Sequence, residues 1–224
     1  MHYALLCAVC LAIATLLLFR ERDGYYVQAV LLKGLSSLCF VILGILCARH
    51  VGWPQTAKLI VIGLCLGAAA DVLLNLRQVF RAAGQKIFLV GILVFLSGHI
   101  VYLAAVLPLC PAPILSALAA AVLTFLLMRW IFGRITAKKA FKIFGIVYIG
   151  AIVFLNCVAV ANLLSYASGF NILFAAGALL FLVSDIVLIL NTFGEKTRFA
   201  LRFVNLGLYY IGQLIIALSC LCLR

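Results

Sequence analysis

Two apolar stretches of the sequence each contain one aspartate: "GAAADVLLNL" at residues 67–76 holds Asp71, and "FLVSDIVLIL" at residues 181–190 holds Asp185. Neither stretch contains another charged residue. A helix needs about 20 predominantly apolar residues to span hydrocarbon, and apolar sequence surrounds both stretches over that length. They therefore predict two membrane-spanning helices, each with a carboxyl group inside.

The rest of the chain has the same character. Of its 224 residues, 68% are hydrophobic and only 10% are charged, which leaves too little polar surface to cover a soluble globule. Apolar runs of spanning length lie at residues 3–19, 27–48, 58–76, 87–108, 112–132, 141–164, 170–190 and 200–222. The connections are too short for a soluble domain, and the first run lacks the basic segment and cleavage site of a signal peptide. The sequence predicts an all-α integral membrane protein, one polytopic domain of eight transmembrane helices over residues 1–224.

The net charge of +12 comes mostly from lysines and arginines between the spans. Thirteen of them follow the first, third, fifth and seventh spans, whereas the other side has only Arg49, Lys58 and Arg224. This asymmetry is typical of membrane orientation, so a lipid bilayer and not nucleic acid is the expected partner. The positive-inside rule predicts that the basic side is cytoplasmic, in a bacterial inner membrane or an endomembrane, and that both termini lie on the opposite side.

An internal repeat is the next feature. One shift of 114 residues superposes five pairs: Asp71 on Asp185, Gly63 on Gly177, Phe95 on Tyr209, Gly98 on Gly212 and His99 on Gln213. A single offset across two spans predicts a duplication, with residues 1–110 repeated as 111–224. Because each repeat has four spans, the halves are parallel and related by an axis along the membrane normal.

Small residues within the spans are interpreted structurally. The nine cysteines lie in or beside apolar runs, where cysteine behaves as a small hydrophobe. The glycines predicted to form close helix contacts are Gly63, Gly67, Gly91, Gly98, Gly177, Gly207 and Gly212.

The polar residues inside the spans converge at one depth. Asp71 and Asp185 each lie six residues from the basic end of their span, which is roughly 9 Å. Four further spans contribute to the predicted site, and the three other acids, Glu21, Asp23 and Glu195, are assigned to loops. The candidate catalytic residues are Asp71 and Asp185, and the candidate binding or supporting residues are Lys33, Asn75, His99, Tyr148, Asn191, Tyr209 and Gln213.

Buried ionisable groups in membranes are costly and mostly functional. In a hydrolase, one carboxyl group is kept protonated while the other stays ionised; in a proton-coupled transporter of a small solute or lipid, both carry protons. A purely structural Lys–Asp pair is a further alternative. Sequence motifs for serine, metal-dependent and phosphoryl-transfer chemistry are absent. Carboxylate acid–base chemistry without a metal or other cofactor is the prediction, and the few helix interruptions argue against transport.

Several motifs resemble those of one family. They are Lys33 in the second span, "ADVLLNL" around Asp71, "GILVFLSGHIVY" with His99, "IVYIGAIVF" with Tyr148 and "GALLFLVSDIVLILNTF" around Asp185. In these stretches the chain resembles the YhhN-type lysoplasmalogenases, eight-span membrane proteins of similar length. The resemblance implies hydrolysis of the vinyl ether bond of a lysophospholipid substrate to a fatty aldehyde and a glycerophospho-alcohol. The substrate phosphate is expected near Lys33 or the loop arginines, and the sequence leaves open which aspartate is the acid.

Overall fold

The computed structural model describes residues 2–136 and 139–223. Within these ranges the chain forms eight long α-helices and no strand. The helices are α1 (His2–Arg22), α2 (Tyr26–His50), α3 (Gln55–Val79), α4 (Gly84–Val106), α5 (Pro113–Phe132), α6 (Lys139–Ser165), α7 (Gly169–Phe193) and α8 (Phe199–Ser219). All eight are long and apolar enough to cross a membrane, which confirms the predicted all-α membrane fold.

The helices other than α5 extend beyond the predicted spans at the basic end of the bundle, where α1, α3, α5 and α7 end and the other four begin. Helix α3 continues to residue 79 and α7 to residue 193, so that Arg77 and Asn191 lie in final helical turns and not in loops. A helical backbone satisfies its own hydrogen bonds, so it continues through the membrane interface until a cap or turn ends it.

The predicted loop position of Glu21 is wrong, because α1 also extends beyond its predicted span. Glu21 lies in the last turn of α1, which ends before Gly24, a glycine in the left-handed conformation (φ +82°). The Glu21 side chain is only 14% exposed, because the guanidinium of Arg202 on α8 lies 2.9 Å away. This contact joins the first and last helices at the basic end.

Glycines allow two helix pairs to approach closely. A Cβ atom added at Gly98 would lie 3.3 Å from the carbonyl oxygen of Gly63, and one added at Gly212 would lie 2.9 Å from the carbonyl oxygen of Gly177. The α3–α4 and α7–α8 pairs are the most extensive contacts in the described chain. The predicted role of these four glycines in close packing is therefore confirmed.

The remaining three predicted contact glycines differ from one another in how closely neighbouring atoms approach them. A Cβ atom at Gly91 would lie 2.7 Å from Leu74, and one at Gly67 would lie 3.4 Å from Gln213. Gly207, in contrast, has no atom within 4 Å of such a Cβ, so its predicted role as a helix contact is wrong. Its position on α8 faces open space, which the spacing of glycines along the sequence does not reveal.

The two halves share the glycine contacts, but their outer helices pack differently. Helix α1 packs against both α2 and α8, whereas α5, its counterpart in the proposed repeat, packs mainly against α6. The duplication stays a prediction. Helices α2 and α8 are the most deeply buried of the eight, and they place the polar residues described below at the centre of the basic half.

Candidate active site

An internal cavity lies in the basic half of the bundle, between residues of α2–α8. Helix rise places its lining residues within roughly 15 Å of the basic ends of their helices. Most of the wall is apolar. The polar lining residues are Lys33, Asp71, Asn75, Arg77, Lys142, Tyr148, Asp185, Thr192, Arg202, Asn205 and Tyr209. Six of the nine predicted site residues are in this set.

Asp71 is held by partners from two other helices. Its Oδ1 atom lies 3.0 Å from Lys33 Nζ on α2. Its Oδ2 atom accepts hydrogen bonds from Ser37 Oγ at 2.5 Å and from Tyr209 Oη on α8 at 2.7 Å. One cation and two hydroxyl donors therefore surround this carboxyl group, and charge-assisted hydrogen bonds of this kind are among the stronger ones in proteins.

Lys33 is itself almost completely buried, with 5% of its surface exposed. Its ammonium lies 4.6 Å from the ring centre of Tyr209 and 4.8 Å from that of Tyr210, distances at which an aromatic face attracts a cation. A buried lysine needs an anionic partner, and Asp71 supplies it. The ammonium is therefore paired within the protein, and its contact with a substrate phosphate stays a prediction.

Asp185 has a simpler environment. It is 4% exposed, and its Oδ2 atom accepts a hydrogen bond from Tyr148 Oη on α6. No lysine or arginine forms a salt bridge with it within residues 2–136 and 139–223. The two carboxyl groups thus line one cavity with different partners, one paired with a cation and one paired with a phenol.

Hydrogen bonds between Ser184 and Asn205 fix the helices that carry Asp185 and Tyr209. Ser184 Oγ donates to the carbonyl oxygen of Asn205 at 3.0 Å, and Asn205 Nδ2 donates back to the Ser184 carbonyl at 3.0 Å and to its Oγ at 2.8 Å. These reciprocal bonds lock α7 against α8 one residue before Asp185, and so position its carboxyl group.

His99 and Gln213 lie behind the cavity and do not line it. The rings of Phe95, Phe181 and Tyr209 pack mutually at 5.4–6.0 Å between centres beside them. His99 Nδ1 is 2.8 Å from the Phe95 carbonyl oxygen, and Gln213 Oε1 accepts a hydrogen bond from Tyr102 at 2.9 Å. Both contact the residues around the three packed rings, since His99 lies 4.5 Å from Phe181 between ring centres, and this placement fits a supporting role.

The two asparagines predicted for the site have different positions. Asn75 lines the cavity one turn below Asp71, it is 4% exposed, and its Nδ2 atom has no hydrogen-bond partner in the described part of the chain. Asn191 lies outside the cavity, where its Oδ1 atom accepts a hydrogen bond from the backbone N–H of Arg198 at 2.7 Å. Asn191 therefore organises the turn between α7 and α8.

A second, shallower depression opens at the basic end, and we call it the vestibule. It shares Arg77, Leu188, Thr192 and Arg202 with the cavity, so these residues form the boundary between the two. The vestibule is lined by Leu18, Glu21, Arg22, Arg77, Gln78, Leu188, Asn191, Thr192, Thr197, Arg198, Phe199 and Arg202. Its arginines make it attractive to anions.

On another side of the cavity, phenylalanines form an apolar wall. The rings of Phe88, Phe141 and Phe193 lie 5.9–6.2 Å apart, and Phe132 and Phe144 extend the wall along α5 and α6. The cavity therefore joins a cationic boundary, two carboxyl groups and a hydrocarbon-like wall. This combination suits an amphiphile.

Some site residues escape sequence reasoning. Ser37 lies four residues after Lys33 and thus on the same helical face, a spacing that the sequence offers as a signal. Arg202 is one of the thirteen basic residues that are expected between spans on the basic side. In the structure it lies in the first turn of α8 and lines the cavity. No sequence pattern pairs Arg202 with Glu21, because 181 residues separate them.

Comparison with known families gives one match. The model of the YhhN family matches residues 28–220, a range that includes both aspartates and every polar residue of the cavity. No solved structure matches the chain.

Proposed function

The chain belongs to the YhhN family, and on this basis, together with its two cavity carboxyl groups, we propose that it is a lysoplasmalogenase. The reaction is hydrolysis of the vinyl ether bond of a 1-alkenyl-glycerophosphoethanolamine or 1-alkenyl-glycerophosphocholine. The products are a fatty aldehyde and the corresponding glycerophospho-alcohol. Membership of the family is consistent with a hydrolase of this kind.

The observation that carries the proposal is the difference between the partners of Asp71 and Asp185. Vinyl ether hydrolysis needs a proton donor and a group that stabilises a cation, the same division of labour that glycosidases use. A carboxyl group buried without a cation is less costly as the neutral acid, whereas one paired with an ammonium is favoured as the anion. Asp185 is therefore assigned as the acid and Asp71 as the anion.

The first chemical step is proton transfer to carbon. Asp185 donates its proton to the vinylic carbon that is not bonded to oxygen, the carbon–carbon π electrons form the new C–H bond, and the positive charge appears on the oxocarbenium group. The ionised Asp71 lies in the same cavity and stabilises this charge electrostatically, an effect that is strong where water is excluded. Tyr148 holds the Asp185 carboxyl group in position.

The second step is capture of the cation by water. The Asp185 carboxylate, now without its proton, accepts a proton as water adds to the oxocarbenium carbon, and the acid is regenerated. The resulting hemiacetal collapses: its hydroxyl proton is transferred to the departing glycerol oxygen, and the aldehyde forms. No electron donor or acceptor is consumed.

The shape of the cavity supports an amphiphilic substrate. The phenylalanine wall matches a hydrocarbon chain, and the arginine-lined boundary with the vestibule matches a phosphate-containing head group. In this proposal the chain contacts the phenylalanine wall, the head group contacts the arginine-lined boundary, and the vinyl ether bond lies beside the two carboxyl groups of the same cavity.

The direct test is aldehyde release by the purified protein in detergent. The substrate is a defined 1-alkenyl lysophospholipid, and the control substrate is the saturated 1-alkyl ether of the same chain length, which cannot be protonated at carbon. The proposal predicts aldehyde from the vinyl ether only. A purified, folded protein that releases no aldehyde would refute it.

A further inference from the structure

Three side chains of α3 that line the cavity lie in order along the segment "DVLLNLR" at residues 71–77: the carboxylate of Asp71, the amide of Asn75 and the guanidinium of Arg77. Helix rise places Asn75 roughly 6 Å and Arg77 roughly 9 Å from Asp71 along the axis. All three side chains belong to one rigid helix, so their order and spacing are built into the fold.

The amide of Asn75 is the unusual member. It is 4% exposed, yet no hydrogen bond to its side chain is found in the described ranges, and its Nδ2 atom is buried without a partner. A buried amide left without a partner is unfavourable, because it has lost its hydrogen bonds to water without replacing them. In a wall of a cavity, such a group indicates that a ligand supplies the missing hydrogen bonds. An amide both donates and accepts, as a hydroxyl group also does.

Arg77 forms no salt bridge within the part of the chain that the structure describes. Glu21, an acidic side chain of the vestibule, pairs with Arg202 and accepts a hydrogen bond from Gln78 at 3.1 Å. The Arg77 guanidinium lies instead 4.6 Å from the ring centre of Phe88, at the boundary between the cavity and the vestibule. An arginine stacked on a ring keeps its hydrogen-bond donors free for a phosphate.

We propose that α3 binds the glycerophosphate part of the substrate, an inference that rests on the function proposed above. Asn75 binds the free hydroxyl on the central glycerol carbon, and Arg77 binds the phosphate. The order along α3 matches the order along glycerol, whose successive carbons bear the vinyl ether, the hydroxyl and the phosphate. Asn75 thereby selects lysophospholipids, because an ester on the central carbon has no proton to donate and adds a second chain.

Binding of a non-cleavable ligand tests this inference without catalysis. The probe is a 1-alkyl lysophospholipid with a saturated ether, compared with its analogue that lacks the central hydroxyl, and affinity is measured by thermophoresis in detergent. Wild-type protein is expected to bind the hydroxyl form about ten-fold more tightly, as expected for one well-formed hydrogen bond in a buried site. Asn75→Leu removes the amide without a large change in volume. This variant should bind both ligands with the same affinity, the lower one that wild-type protein has for the analogue without the hydroxyl.

Arg77→Gln should lower the affinity for both ligands by about ten-fold or more. Arg81→Gln, at an exposed arginine beside the same helix end, is the matched control and should change neither affinity. If Asn75→Leu does not fold, Asn75→Ala provides the same comparison.

Retained discrimination in the Asn75 variant, or equal effects of the two arginine variants, would overturn the inference. A wild-type protein that discriminates the ligands but releases no aldehyde from the vinyl ether would refute the proposed reaction and leave this binding site standing.

Discussion

Lys33 Nζ on α2 lies 3.0 Å from Asp71 Oδ1 on α3, and the two residues are 5% and 2% exposed. A charge pair at this depth is stable only because each member neutralises the other. Asp185 has no such cation among the described residues, although it lies at the same level and lines the same cavity. The pair therefore distinguishes two carboxyl groups that look equivalent in the sequence.

Replacement of either carboxyl group should remove activity. We expect Asp185→Asn to lower kcat about 10²- to 10⁴-fold, the usual contribution of a general acid, and Asp71→Asn to lower it similarly by leaving the oxocarbenium ion unstabilised. Glu195→Gln removes a carboxylate from an exposed position and is the control. Aldehyde release is measured alongside thermal unfolding, and full activity in either aspartate variant would exclude a two-carboxylate mechanism.

Loss of the ammonium should affect both stability and chemistry. Lys33→Met leaves Asp71 buried and unpaired, so it should reduce the free energy of unfolding by about 3–5 kcal/mol and lower kcat more than it raises KM. Lys58→Met, at an exposed lysine near the opposite end of the bundle, should change neither quantity. A change confined to KM would show that Lys33 binds the substrate phosphate.

The phenol beside Asp185 has a smaller expected effect. Tyr148→Phe removes one hydrogen bond to the acid while it preserves the ring that packs 5.7 Å from His99. A bond of this kind contributes roughly 1–2 kcal/mol, so kcat should fall about ten-fold with little change in KM. Tyr166→Phe is the control, because Tyr166 is exposed at the opposite end. Steady-state kinetics that do not change in Tyr148→Phe would mean that the phenol has no part in positioning Asp185.

The surroundings of two glycines on α8 predict opposite changes in stability for the same substitution, glycine to alanine. Gly212→Ala places a Cβ atom 2.9 Å from the Gly177 carbonyl oxygen, so the helices must separate, and we expect a loss of about 1–3 kcal/mol in stability. Gly207→Ala meets no atom within 4 Å and should be neutral or slightly stabilising because alanine favours the helix. Thermal unfolding in detergent compares them, and equal effects would contradict the described α7–α8 contact.

Orientation and access are tested by cysteine labelling in a cysteine-reduced parent that retains activity. Thr197→Cys, in the vestibule, should react with a polar thiol reagent from the cytoplasmic face, and Gln55→Cys, at the start of α3, should react from the other face. A site that serves a hydrolase needs access from one side only. Labelling of Tyr209→Cys from both faces, without aldehyde release by the parent, would favour a transporter instead.

Much of the site is readable from residue spacing because a helix converts sequence separation into depth. The matched distances of Asp71 and Asp185 from their helix ends, and the convergence of Asn75, Tyr148 and Tyr209, follow from a rise of about 1.5 Å per residue. The glycines at 63 and 98 were predictable as contacts for a related reason, since membrane helices approach closely where side chains are small. Gly207 shows the limit, because spacing does not say whether a helical face meets another helix.

The sequence by itself determined the eight spans, the clustering of basic residues at one end of the bundle and the level of the two carboxyl groups, since hydropathy and helical rise are local properties of the chain. Only the tertiary structure decided that Lys33, Ser37 and Tyr209 surround Asp71 while Tyr148 donates a hydrogen bond to Asp185. It also turned Asn191 away from the cavity and brought Arg202 to Glu21. The physical reason is that a side chain's partner depends on which helices are neighbours and how each is rotated, and packing across the whole bundle sets both.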